Sequence, residues 1–259
     1  MTDIDRFSLQ IEKQKEILDY VNAKQKASIK ELSKAAGLSL VTIRKYLQLL
    51  ENKGLLVKTH GGVISKKSAL NYEVPYSEKE NVNLQEKKRI GAAAAKLICD
   101  GDVIILDSGS TTLQIAKAII NQDITVITND IKIAYELSEK PYIKLFVTGG
   151  MLKNNVFTLI GSDAESFLSR LHVNKSFLAA DAIHLESHVT NNAIEDVNIK
   201  KHIISAADQV ILVSDHSKFN KKCFLDICSF NEIDIIVTDQ LSNEYKKAFL
   251  QHNIKVLVV

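Results

Sequence analysis

The hydrophobic pattern changes character along the chain. In the first sixty residues its period is helical, with Ile17, Leu18 and Val21 on one face of a segment that ends near Asn22-Ala23. Ser28-Ile29-Lys30-Glu31 has the Ser-x-x-Glu spacing of a capping box, in which each side chain satisfies a backbone N–H at the other end. A second helix starts there, with Leu32, Ala35 and Ala36 on its buried side. Gly37-Leu38-Ser39 stops it, and Ser39 caps a third helix from about Leu40 to Asn52. The stripe of Ile43, Leu47 and Leu50 leaves Thr42, Arg44, Lys45 and Gln48 toward solvent. After Gly54, residues 55–64 predict two short strands around Gly61-Gly62. This is the pattern of a winged helix-turn-helix over residues 1–67.

Residues 68–89 are poor in apolar side chains and contain Pro75, which predicts a linker. From residue 90 to 259 the pattern becomes continuous apolar runs separated by helical intervals. Val103–Leu106, Val126-Ile127, Leu145–Val147, Phe177–Ala180, Val210–Val213 and Ile235–Val237 each end in small polar residues. Such runs are strands covered on both faces, so the domain is α/β. Ligands of open α/β sheets bind at the carboxyl ends of the strands, where these Asp, Ser, Thr, Asn and Gly residues gather. Asp107-Ser108-Gly109-Ser110-Thr111-Thr112 leaves a strand and enters a helix. Small residues admit close approach, hydroxyls donate, and a helix N-terminus presents free N–H groups, a combination that suits a phosphate. Neither the phosphate-loop nor the dinucleotide glycine fingerprint occurs, which leaves a monophosphate on a small molecule as the expected ligand.

Charge separates the two parts. Residues 1–70 hold 13 Lys and Arg against 7 Asp and Glu, whereas residues 71–259 hold 20 against 24. A basic head of this form fits duplex DNA, because its third helix can enter the major groove while flanking cations release counterions from phosphates. Thr42 and Arg44 are the expected base readers, with Lys58 and His60 of the wing at the backbone or minor groove and Lys66-Lys67 adding phosphate contacts. No apolar run approaches the roughly 20 residues of a membrane span. The polar N-terminus has no signal-peptide core, so the expected location is cytoplasmic with no membrane partner. Cys99, Cys223 and Cys228 are expected to be free thiols.

The run from Leu38 to Leu47, followed by Leu50-Glu51 and His60-Gly61-Gly62, resembles the DeoR family of bacterial transcriptional regulators. Members usually carry a second arginine and an acidic residue where this chain has Lys45 and Tyr46, a difference that bears on the operator. The resemblance continues through Lys87 with Ile90-Gly91-Ala92, the Asp107–Thr112 loop, Thr128-Asn129, Gly149-Gly150, Gly161, and Asp215 with Lys218. It implies a sensor domain similar to the ribose-5-phosphate isomerase fold, which binds a phosphorylated sugar and changes the DNA affinity of the head. On this basis the DNA contacts are Ser28, Ser39, Thr42, Arg44, Lys45, Tyr46, Gln48, Lys58 and His60. The effector contacts are Lys87 and Asp107, then Ser108, Gly109, Ser110, Thr111 and Thr112 holding the phosphate, and Thr128, Asn129, Gly149, Gly150, Asp181, Glu195, Lys200 and Lys218 toward the polyol.

A phosphosugar isomerase is the alternative, with Asp181 and Glu195 as acid and base and Lys218 stabilising an oxyanion. An isomerase has no evident use for a basic winged head, which favours a regulator, expected to act as a repressor of carbohydrate genes. Ile183-His184-Leu185-Glu186-Ser187-His188 departs from the family's glycine-containing stretch. It lacks the His-Glu-x-x-His spacing of a metal helix, so neither a metal nor a cofactor is expected. One head recognises few base pairs, which predicts a homo-oligomer on repeated half-sites.

Overall fold

The computed structural model describes residues 3–52, 55–59, 61–65 and 76–259. The chain divides into two compact units, 1–72 and 73–259.

In the N-terminal unit α1 (Asp3–Lys24), β1 (Lys26–Ser28), α2 (Ile29–Ala36) and α3 (Leu40–Asn52) precede a hairpin of β2 (Leu56–Lys58) and β3 (Gly62–Ser65). The capping box at α2 forms in full: Ser28 Oγ accepts the Glu31 N–H at 3.1 Å and Glu31 accepts the Ser28 N–H at 2.7 Å. Gly37 ends α2 at φ 65°, and Ser39 Oγ accepts the Thr42 N–H at 3.1 Å to cap α3. Ile17, Val21, Leu32, Ile43, Leu47 and Leu50 close one core, joined by Leu56 and Val63 of the hairpin. The pattern alone misses β1, whose three residues pair antiparallel with β3 and extend the wing to three strands.

The C-terminal unit opens with α4 (Tyr76–Asn81) and α5 (Leu84–Ala95), so residues 76–89, expected as linker, are largely helical and packed. Their few apolar residues explain the difference, since only Tyr76 and Lys87 in this stretch are buried. The chain continues through β4 (Val103–Leu106), α6 (Ser110–Ala118), β5 (Ile124–Thr128), α7 (Ile131–Ser138), β6 (Ile143–Val147), β7 (Met151–Lys153), β8 (Thr158–Ile160) and α8 (Ser162–Leu168). Then follow β9 (Val173–Leu178), β10 (Ala182–His184), β11 (His188–Asn191), α9 (Ile194–Ser205), β12 (Ala207–Val213), β13 (Leu225–Cys228), β14 (Ile235–Thr238), α10 (Asn243–Gln251) and β15 (Lys255–Val258).

Seven strands form one parallel sheet in the order β15-β14-β12-β9-β4-β5-β6. Alternate residues face opposite layers: Ile104 and Leu106 join the core with α5, α6 and α7, while Ile105 joins that of α8 and α9. Both faces are covered, as continuous apolar runs require. The strand order reverses between β4 and β9, and at such a switch point the connections leave in opposite directions and open a crevice. Gly91 lets α5 and α6 meet closely, since a Cβ there would stand 2.6 Å from Gln114. No helix among the described residues is long and apolar enough to cross a membrane.

Candidate functional site

The crevice at the β4/β9 switch point is a cavity rimmed by α4, α5, the loop into α6 and the strand ends. Beneath it lies Asp107, the residue after β4, completely buried. One of its oxygens accepts from the Ser108 N–H at 2.9 Å, while the other accepts from the Ala179 N–H at 2.9 Å and from Lys200 Nζ. Lys200, on α9, also donates to the Ala179 carbonyl at 2.9 Å. The ends of β4 and β9 are thus fastened by one buried ion pair. Gly109 sits where a Cβ would come within 2.9 Å of Ala179, so a side chain there would force the two ends apart.

A second carboxylate holds the loop from the far side. Asp130 caps α7 by accepting the Lys132 and Ile133 N–H groups at 2.7 and 3.1 Å, and its other oxygen accepts the Gly109 N–H at 3.2 Å. Burial outweighs those bonds and pushes its carboxyl up to about 6. Asn129 Oδ1 accepts from Ser108 N at 3.0 Å, Thr128 bonds the Leu106 carbonyl at 2.8 Å, and Thr112 bonds the Gly109 carbonyl at 2.9 Å.

What remains exposed to the cavity is the start of α6. Gly109 is its N-cap and provides no side-chain cap; the first α-type bond runs from Leu113 N–H to the Gly109 carbonyl. The N–H groups of Ser110, Thr111 and Thr112 therefore stand at an uncapped helix terminus, with the Ser110 and Thr111 hydroxyls beside them. Lys79, Lys87, Lys200 and Lys218 line the same space. Burial lowers Lys87 to about 8 despite the pull of Asp215, and burial likewise lowers Lys218 against the attraction of Asp181. For Asp181 burial works the other way, but Lys79, paired at 2.8 Å, together with Lys218 and Lys200 holds it well below the usual carboxylate range. Asp215 accepts from Asn83 at 2.8 Å and from the Ser217 N–H at 3.0 Å, fixing the short turn that presents Lys218. An array of cations at a bare helix N-terminus, with carboxylates and Asn191 opposite, suits an anion carrying hydroxyl groups.

Of the expected effector residues, Lys87, Ser108, Gly109, Ser110, Thr111, Asp181, Lys200 and Lys218 line the cavity. Asp107, Thr112, Thr128 and Asn129 lie under it as buried supports. Gly149 and Gly150 form an exposed left-handed turn after β6, and Glu195 is exposed on α9, all outside the lining. Asp196 takes the place expected for Glu195, because Asp196 and Lys200, four apart, share the inward face of α9. Tyr76, Lys79 and Asn191 also line the cavity; the first two were obscured by the linker reading. His188 stacks on Phe230 at 4.5 Å and accepts its N–H at 3.0 Å, a packing role. No metal-binding group of His, Cys, Asp or Glu occurs among the described residues.

In the N-terminal unit Arg44 and Lys45 are exposed along α3 and Thr42 is half-buried at its first turn. Val41, 74% exposed beside them, is an outward apolar group that the stripe did not single out. Tyr46, expected among the DNA contacts, is 7% exposed and packs into the core with Ile43 and Leu50, so its ring is a core residue. Gln48 Oε1 accepts from Lys58 Nζ at 2.6 Å and Glu51 accepts the Lys58 N–H at 3.1 Å, which ties β2 to α3. Ser28 and Ser39 are caps, and His60 and Lys66-Lys67 lie outside the described residues.

Residues 13–69 match the DeoR-like helix-turn-helix domain and residues 82–240 the DeoR C terminal sensor domain. The chain belongs to the DeoR family. It is 35% identical to the uncharacterized HTH-type transcriptional regulator YulB of Bacillus subtilis, over 96% of each chain. The HTH-type transcriptional repressor GlcR of the same organism is 35% identical, over 88% of each. The L-fucose operon activator of Haemophilus influenzae is 30% identical, over 93% of this chain and 97% of its own. Among solved structures, ribose 5-phosphate isomerase A of Methanocaldococcus jannaschii aligns over 53% of this chain and 55% of its own, at 18% identity and a TM-score of 0.39, a likeness too slight to bear on chemistry. The DeoR-family assignment makes this a helix-turn-helix transcriptional regulator with an α/β sensor domain.

Two measurements test the site. Lys200→Met leaves the Asp107 carboxylate buried and unpaired, and denaturant unfolding should show the sensor unit destabilised by about 3–5 kcal/mol. Because Lys87 loses its proton near pH 8 when folded and near pH 10.5 when unfolded, the unfolded state binds more protons in between. Stability should therefore gain from this residue as pH rises across that window, a gain absent in Lys87→Met, while affinity for inorganic phosphate falls as pH passes about 8.

Proposed function

We propose that this protein is a cytoplasmic, homo-oligomeric repressor of carbohydrate-metabolism genes, released from or retained on its operator by a phosphorylated sugar bound in the sensor cavity. The single observation that carries the reading is the uncapped N-terminus of α6 among buried lysines, chemistry that a phosphate satisfies. Asp181, Asp196 and Asn191 then face the hydroxyls of the sugar. In the head, Arg44 and Thr42 read base edges, Val41 meets a thymine methyl, and Lys45 takes phosphate. Gln48 and Lys58 brace the wing against α3 and touch the backbone from there.

The relatives are regulators, GlcR a repressor and the Haemophilus influenzae protein an operon activator, which places turnover second as a reading. The isomerase alternative was built on Asp181 with Glu195, and Glu195 does not line the cavity. Coupling between effector and DNA has to be reciprocal: a ligand that loosens DNA binding is itself weakened by DNA through the same factor.

Arg44→Ala should cost about 1–3 kcal/mol at one base pair of the operator and relax specificity there, measured by competition with single-base operator variants. An equal loss on all sequences would reassign Arg44 to phosphate. Thr111→Glu places a carboxylate at the α6 terminus. It should abolish the response of operator binding to sugar phosphates while leaving DNA affinity without effector intact, and a preserved response would move the effector elsewhere.

A further inference from the structure

Helix α4 carries two features that the sensor fold alone does not require. Tyr76 is 2% exposed and lines the cavity, yet its hydroxyl has no hydrogen-bond partner among the described residues. Its ring is not free to turn away: it packs edge-on to Phe157 at 5.8 Å, Lys132 Nζ sits 4.0 Å over its face, and its N–H donates to Asn155 at 2.9 Å. Burial, helped by Asp130 and Glu80, pushes the phenol up, which keeps it a neutral donor. A buried hydroxyl without a partner is destabilising, so a well-held one on a residue that lines a cavity signals a ligand atom that completes it.

The second feature is Lys79. Its ammonium reaches Asp181 at the end of β9, while its carbonyl accepts from Lys87 Nζ and its neighbour Glu80 pairs with Lys132 at 2.9 Å. Helix α4 also packs beside α6, whose N-terminus is bare. Asp181 has Lys218 and Lys200 as further positive neighbours, so it keeps compensation when Lys79 is drawn off. An anion at the start of α6 competes with Asp181 for Lys79 on favourable terms, since it also gains the helix terminus and the Tyr76 hydroxyl.

We propose that Tyr76 and Lys79 bind the effector's anionic group directly, with Lys79 exchanging Asp181 for it, so that α4 is a strap the effector pulls. The proposal deepens the effector reading and rests on it. Helix α4 begins eleven positions after Ser65, the last residue of the wing's β3, so whatever moves it acts next to the connection with the DNA-binding head. The strap gives the effector differential contact with two positions of α4, which any ligand-driven shift requires.

The test uses the full-length protein and inorganic phosphate, with binding followed by phosphorus NMR and α4 by hydrogen exchange of peptides spanning residues 76–81. Wild type should bind phosphate and show altered exchange there. Lys79→Gln should bind about tenfold or more weakly and Tyr76→Phe about threefold to tenfold, both without the exchange change, and Lys79→Arg should recover most of the binding. Tyr76→Phe removes only the orphan hydroxyl and should be no less stable than wild type without phosphate, so its loss reads the missing contact and not a folding defect. Wild-type phosphate affinity in both variants, or exchange at 76–81 that phosphate does not move, overturns the strap and leaves the α6 site standing. A wild-type chain that binds neither phosphate nor any sugar phosphate overturns the effector reading and the strap with it.

Discussion

The sensor unit is organised around the buried contact between Asp107 and Lys200. Strands β4 and β9 come from opposite halves of the sheet's winding, and the backbone ladder between them ends where the Asp107 N–H donates to the Phe177 carbonyl at 3.1 Å, just before their loops part. A carboxylate that accepts from the loops of both strands, neutralised by a lysine from α9, supplies the tie beyond that point. A buried pair of this kind is weak evidence for net stability, because desolvation offsets most of the attraction. Its effect is positional: it fixes the loop backbone so that the N–H groups of α6 point into the cavity before any ligand arrives, and prepaid orientation of this sort raises affinity without added contacts.

The head uses the same economy on a smaller scale. Two serine caps set where α2 and α3 begin, and the Gln48, Glu51 and Lys58 network joins the far end of α3 to the wing. The recognition helix and wing are consequently presented as one surface, with Arg44 and Lys45 left outward and Tyr46 drawn inward.

Much of this was legible in the residue pattern. The Ser28–Glu31 box, Gly37, Ser39 and the limits of α3 follow from local rules whose partners lie within a few residues, and six of the seven sheet strands announce themselves as apolar runs. The seventh, Lys255–Val258, is an edge strand with no fully buried residue, and the expected runs stop before it. Tyr46 is placed among the DNA contacts by the family resemblance, although three positions after Ile43 and four before Leu50 it falls on the buried stripe of α3. Glu195 and Asp196 differ by one position, about 100° around a helix, and only the burial of α9 decides between them. Tyr76 and Lys79 gave no periodic signal at all, since a six-residue helix is too short to show one.

The Asp130 carboxylate spends all its bonds on scaffold, closing α7 with one oxygen and steadying Gly109 with the other. Together with Asp107 it makes the loop into α6 part of the sheet's own wiring, whereas Asn191 and Asp196 come from the small antiparallel sheet and α9 on the opposite wall. The two walls are therefore separable: a substitution at Asn191 or Asp196 alters the cavity lining without touching the bonds that hold the start of α6.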